Sequence, residues 1–282
     1  MAFFLLLLPC VCAFSDTLEL SNGDRITGHI TSMDEDYVVV KTDYGEIKID
    51  RSHVVSGSFG PQTAIPTEGL LFHFDFEGDF ADMSGNSYAM ESRNGVTLVA
   101  GVDNKAQSAA SADGSGQYLE VQTGEELDGL NTFSLSFWIL IRDAAKFQYL
   151  VSKWSSTSGE NADGKFALSC GGGHLALYVV DEQGAYHSVV VNNVVSLNEW
   201  THVAVVLEPG AVRLFADGDL VRESSLGFQS LYRDNSSILF LTAATGSSPD
   251  WSRYNVVGAI DKIRLYNRAL SEAEVRTLAE GL

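Results

Sequence analysis

Apolar and polar residues alternate in short runs along almost the whole chain after residue 15, the period-two pattern of half-buried strands. Residues 25–30 (RITGHI), 46–50 (EIKID) and 133–139 (FSLSFWI) show it most cleanly. Residues 187–195 (HSVVVNNVV), 201–207 (THVAVVL) and 212–216 (VRLFA) add the β-branched runs of buried strands. Turn signals punctuate them. Asn22-Gly23, Tyr44-Gly45 and Asp217-Gly218 stand where hairpins should close, since glycine accepts the positive φ such turns need. One convincing helix is predicted, at the end of the chain. Ser271 and Glu274 form a capping box ahead of Val275, Leu278 and Ala279 at helical spacing. The pattern predicts an all-β fold with a short C-terminal helix.

Composition divides the chain into four parts. Residues 1–15 (MAFFLLLLPCVCAFS) carry an apolar run too short to span a bilayer, followed by small residues, and read as a signal peptide cleaved before Phe14 or after Ser15. Its removal would leave Cys170 as the sole cysteine, a buried hydrophobe with no disulfide partner, which suits an exported bacterial protein of the periplasm, cell surface or exterior. Residues 16–57 contain four or five short strands. Residues 58–68, with two prolines among Gly and Ser, form a linker. Residues 69–282 make up the large domain, an antiparallel sandwich.

Segments 70–86 (LLFHFDFEGDFADMSGN), 131–139 (NTFSLSFWI), 149–154 (YLVSKW), 199–207 (EWTHVAVVL), 212–218 (VRLFADG) and 260–275 (IDKIRLYNRALSEAEV) follow one another in an order that resembles the laminin-G-like jelly roll of the concanavalin A-like superfamily. The pattern L-x-L-x-N-G-D-x-I-x-G from Leu18 to Gly28 is similar to small Sm-type or Src-homology-type barrels. The jelly-roll resemblance implies a fold that binds more often than it catalyses. It also implies a structural calcium between the first and last strands, mapping onto Asp75 and Asp82 with Asp261 opposite, and Glu77 and Asp79 as substitutes. Calcium takes six to eight oxygens, which acids on a glycine-containing turn supply. Glucanases of this fold use two facing glutamates. The nearest match here, residues 77–82 (EGDFAD), ends in aspartate and lies in a turn, so catalysis of that kind is not expected.

Charge narrows the ligands. With 18 basic and 37 acidic residues the formal charge is −19, which repels nucleic-acid phosphates and anionic lipid surfaces. The six histidines lack metalloprotease spacing, and His202 within W-T-H-V-A is expected to brace the sandwich by hydrogen bonding. Aromatic rings at loop tips stack on sugar faces. Trp154, at the start of a polar loop, and Trp251 with Tyr254 in another, are the candidate ligand-facing rings, whereas Trp138 and Trp200 fall in strands. The expected function is non-catalytic recognition of a glycan. A protein partner for an adhesive or structural component is the alternative, and a divergent glycosidase the outlier.

Overall fold

The computed structural model describes residues 16–34, 36–42, 44–58, 64–154, 164–242 and 254–281. Residues 1–15 (the expected signal peptide), residues 155–163 and Trp251 lie outside them. Two compact units divide at Ala64/Ile65, inside the predicted linker.

The first unit is a five-stranded antiparallel sheet of β1 (Asp16–Leu20), β2 (Arg25–Met33), β3 (Tyr37–Thr42), β4 (Gly45–Asp50) and β5 (Val54–Ser58), in the order β4-β3-β2-β1-β5. Gly23 and Gly45 take positive φ at two of its turns, as their sequence positions required. Its core is small: Leu18, Val38, Val40 and Ile49.

The second unit begins with β6 (Leu70–Phe74), β7 (Met90–Arg93), β8 (Thr97–Val99), β9 (Ala109–Asp113) and β10 (Tyr118–Val121). A one-turn helix α1 (Glu125–Asp128), which the sequence pattern did not reveal, precedes β11 (Phe133–Ile141). Then follow β12 (Gln148–Trp154), β13 (Gly164–Gly171), β14 (His174–Val180), β15 (Tyr186–Val191), β16 (Trp200–Glu208), β17 (Ala211–Ala216), β18 (Asp219–Ser225), β19 (Ile238–Phe240) and β20 (Val257–Tyr266). Helix α2 (Glu272–Glu280) completes the unit. A seven-stranded sheet, β15-β14-β13-β12-β19-β10-β7, faces an eight-stranded one, β18-β17-β16-β11-β20-β9-β8, in which β6 also pairs with β20.

Strand β20 organises the second sheet. Its first half pairs with β9 and its second half with β6 on the same edge, while β11 runs along the other. The change of partner coincides with a bulge: Lys262 takes a positive φ, and the β11 register slips between Ser136 and Trp138. First and last strands of the domain are therefore neighbours, as the resemblance implied.

Between the sheets lies one continuous core, to which Phe72, Phe74, Phe133, Phe137, Phe166, Leu168, Val205 and Ile260 contribute. Helix α2 buries a second, smaller cluster of Ala204, Val206, Phe215, Tyr266, Leu270, Val275 and Leu278 on the far side of the eight-stranded sheet. Its capping box is complete, and Arg268 grips Glu274 with two hydrogen bonds of 3.1 and 2.6 Å. That pairing holds the Glu274 carboxyl down to about 2.

Candidate ligand-binding face and adjoining cleft

Alternation along β12 to β15 sends Leu150, Phe166, Leu168, Leu175 and Leu177 into the core. The opposite face of the same strands carries Tyr149, Trp154, Tyr178 and Tyr186, interleaved with Ala167, Ser169 and Ala176. Small residues between large rings leave room for the rings to lean. Tyr149 stands opposite Ser169, and Tyr178 opposite Ala167. Burial, reinforced by the nearby Tyr178, Tyr254 and Tyr186, pushes the Tyr149 hydroxyl up to about 12.

Two ring clusters occupy this face. At one end of β12, Tyr149 meets Phe147 and Tyr254 edge-on, with ring centres 5.3 to 6.1 Å apart. At the other end Trp154 lies against Tyr186, centres 5.5 Å apart and planes tilted by 38°. Tyr149 and Trp154 stand about five residue steps apart on β12, roughly 15–17 Å at strand rise. Trp154 is seated by its cross-strand partner, because a Cβ on Gly164 would stand 2.2 Å from the indole Cδ2. Tyr186 follows a turn tied by Asp181, whose carboxylate accepts from the Gln183 and Ala185 amides and hydrogen-bonds His187 at 2.8 Å. Tyr186 is 59% exposed, and Val190 on the same face 47%.

A register slip between Lys153 and Trp154 leaves Lys165 as an extra residue on β13. Its side chain turns to the end of the sandwich, where its ammonium donates to the Asp128 carbonyl at 2.9 Å. Burial, with Lys153 close by, pushes the Lys165 ammonium down to about 8. Lys153 is equally buried, and holds the Asp128 carboxylate at 2.9 Å and Thr123 Oγ1 at 3.1 Å. A cleft of about 460 Å³ opens here, lined by Lys165, Asp128, Asn131, Glu182, Tyr232 and Arg233 among others. The sequence did not point to Lys165, Tyr149 or Tyr186. Their signal is the tyrosine that interrupts each apolar strand run, and Lys165 is legible only through the bulge.

Of the three predicted ligand-facing rings, Trp154 and Tyr254 lie on the same side of the seven-stranded sheet but in separate clusters, and Trp251 lies outside the described residues. The predicted metal ligands are placed differently. Asp82 is the hub of its turn: Oδ1 accepts from the His73 and Ser84 amides, and Oδ2 from the Ser84 hydroxyl and the Tyr88 amide, all within 2.8–3.0 Å. Asp261 is buried beside the 101–108 loop and accepts from the Val102 and Lys262 amides at 3.0 and 2.7 Å. Desolvation pushes its carboxyl up to about 6. Glu77 pairs with Lys105, and Asp79 accepts from the Ala81 amide. Among the described residues no three acidic, histidine or cysteine side chains converge as a metal-ligand set. The Asp82 and Asp261 carboxylates thus each serve protein donors at their own loops.

His202 does brace the sandwich, its Nε2 hydrogen-bonded to Ser136 Oγ at 2.8 Å. Cys170 is buried, and desolvation lifts its thiol to about 11.

Residues 113–276 match the model of a laminin-G-type family, described as the concanavalin A-like lectin/glucanases superfamily. The chain belongs to that superfamily. It is also similar to Paraclostridial mosquitocidal protein 1 of Paraclostridium bifermentans, with 23% identity over 75% of this chain and 17% of that protein. The crystal structure of that protein's binding domain superposes with a TM-score of 0.60, covering 76% of this chain and 52% of the domain at 23% identity. The ligand-binding domain of botulinum neurotoxin serotype D, solved in complex with N-acetylneuraminic acid, gives 0.59, covering 76% of this chain and 51% of the domain at 16% identity. The likeness establishes the jelly-roll fold. This chain spans about half of each solved domain and less than a fifth of the curated relative.

Proposed function

We propose that this chain is an exported, non-catalytic binding module that holds a glycan on the outer face of the seven-stranded sheet. The Trp154–Tyr186 pair carries this reading: two tilted rings, one seated on a glycine and the other largely in solvent, stand on the strands whose neighbouring residues Lys165 and Glu182 line a cleft. Such rings offer flat apolar surface to a sugar, and the cleft supplies hydroxyl partners. That the structural relatives are named as binding or ligand-binding domains, one of them with a bound sugar acid, supports the class of function. The acids that came nearest to a glycosidase pair are spoken for: Glu77 by Lys105, Asp82 by its turn. The small N-terminal unit is proposed to be an Sm-like or Src-homology-like barrel, carried outside the cytoplasm with the sandwich. Among the described residues no helix is long and apolar enough to cross a membrane.

A protein partner is the second reading. It is favoured by β15, which ends the seven-stranded sheet and exposes Tyr186 and Val190 on one face. A glycan array probed with the full chain and with Trp154→Ala separates the two. Glycan signals abolished by the substitution sustain the first reading. An array silent for both proteins discards it in favour of the second.

A further inference from the structure

The end of the sandwich holds two lysines that are each 1% exposed, and they are not treated alike. Lys153 has a carboxylate: Asp128 Oδ1 lies 2.9 Å away. Lys165 has a single acceptor, the Asp128 main-chain carbonyl, and no carboxylate within ion-pair distance among the described residues. A buried ammonium without a counter-charge is costly, and proteins ordinarily pair it. Here the unpaired ammonium lines a cleft. Arg233, exposed on the wall of the same cleft beside Gly129, likewise has no ion-pair partner among the described residues. The remaining acids there do not answer these two cations. Asp128 is held by Lys153, and Asp234 accepts from its own Ser236 amide and hydroxyl at 2.9 and 2.8 Å. Glu182 stands exposed at the rim.

We propose that this cleft is an oxyanion subsite, in which Arg233 and Lys165, the residue next to the Gly164 that seats Trp154, receive the carboxylate or sulfate of an acidic glycan. The proposal rests on the glycan reading above and adds the ligand's charge to it. An ammonium and a guanidinium on one cleft complement a charged planar group far better than a hydroxyl. On a chain of charge −19, two cations without ion-pair partners among the described residues also select for acidic glycans, which the net charge of the chain otherwise disfavours. Glu182 at the mouth weakens the attraction and sets its limit.

Titration calorimetry on the full chain tests this with three probes: a glucuronate-terminated disaccharide, its neutral methyl ester, and a 6-O-sulfated analogue. The glucuronate should bind about tenfold or more tighter than the ester. Arg233→Gln, a change at an exposed position checked for folding by thermal melt, should erase most of that preference. Lys165→Met, checked for folding by thermal melt, should do the same. Glu182→Gln should tighten glucuronate about two- to threefold. The wild-type preference should fade above about pH 8, where Lys165, surrounded by Lys153, Asp128, Asp234 and Arg233, gives up its proton. Lys165→Met should lack this step. A sulfated ligand bound as well as the glucuronate, and weakened equally by Arg233→Gln, identifies charge as the recognised feature. A sulfated ligand bound no better than the ester restricts the subsite to carboxylates. Glucuronate and ester bound alike, or an Arg233→Gln protein with the preference intact, overturns the subsite and leaves the glycan reading standing. Neither sugar binding overturns both.

Discussion

The two outer faces of the sandwich are built by the same alternation yet finished in opposite ways. On the eight-stranded sheet, Ala204, Val206, Phe215 and Tyr266 are roofed by helix α2, and the next rows along, Ser136, Trp138, His202 and Arg264, are at least nine-tenths buried. On the seven-stranded sheet no helix is laid down among the described residues, and Tyr149, Tyr178 and Trp154 stand half-buried, with Tyr186 exposed, among alanine and serine. One face stores stability, the other offers surface. Aromatic residues suit the second role because a ring stays ordered with few rotatable bonds while keeping an apolar plane in reach of solvent.

The comparison breaks most directly under the helix. Leu278→Ala and Phe215→Ala are expected to cost about 2–5 kcal/mol each in chemical unfolding, with ligand affinity of the surviving folded protein unchanged. An equal loss of affinity would mean the two faces are coupled. Acid sharpens the same point. Burial, with Arg264 nearby, pushes His202 down to about 3 and His73 down to about 4. Both therefore contribute stability that is fully present above the unfolded value near 6.5 and is lost as pH falls toward the folded values. Asp261, raised to about 6, acts in the other direction, losing stability as pH rises from about 4 to 6. With two histidines against one carboxyl, the melting temperature should fall between pH 6.5 and 4, and His202→Gln should flatten that slope. An acid-insensitive melt would refute the buried neutral histidines.

On the open face the expected effects on stability are smaller and those on binding larger. Gly164→Ala forces the indole of Trp154 off its seat and should cost about 1–3 kcal/mol while shifting the tryptophan fluorescence. Trp154→Ala should change stability by about 1 kcal/mol and weaken glycan binding by more than tenfold. A variant that binds normally would remove this face from consideration. The smallest effect expected is that of calcium. Since the Asp82 and Asp261 oxygens already accept protein hydrogen bonds, calcium and chelator should leave the melting temperature unmoved within about 1 °C. A calcium-dependent rise lost in Asp261→Ala would reinstate the strand bridge.

Much of the architecture was readable because local rules and tertiary outcome agree. The Asp217-Gly218 turn closes β17 onto β18 with both residues at positive φ, and the Ser271–Glu274 capping box starts α2 where the pattern placed it. His202 and Cys170 have the structural roles that their strand context implied. The site was less legible. Trp154 was visible as a ring at a loop, but its partner Tyr186 is 32 positions away, and only the β12-β13-β14-β15 order brings them together. The acids were hard to read for a related reason: a run of carboxylates looks the same in sequence whether its oxygens face a metal or face amides of their own turn.

The sequence by itself determined the strands, most turns, the terminal helix and the jelly-roll membership, since period, turn chemistry and capping are set by near neighbours along the chain. Only the tertiary structure decided which outer face is sealed and which is open. It also decided that Asp82 is the hub of its own turn, and that a one-residue bulge brings the Lys165 ammonium to a main-chain carbonyl at a cleft. Those outcomes depend on register and on groups distant in sequence, and a shift of one residue reverses the side a residue faces.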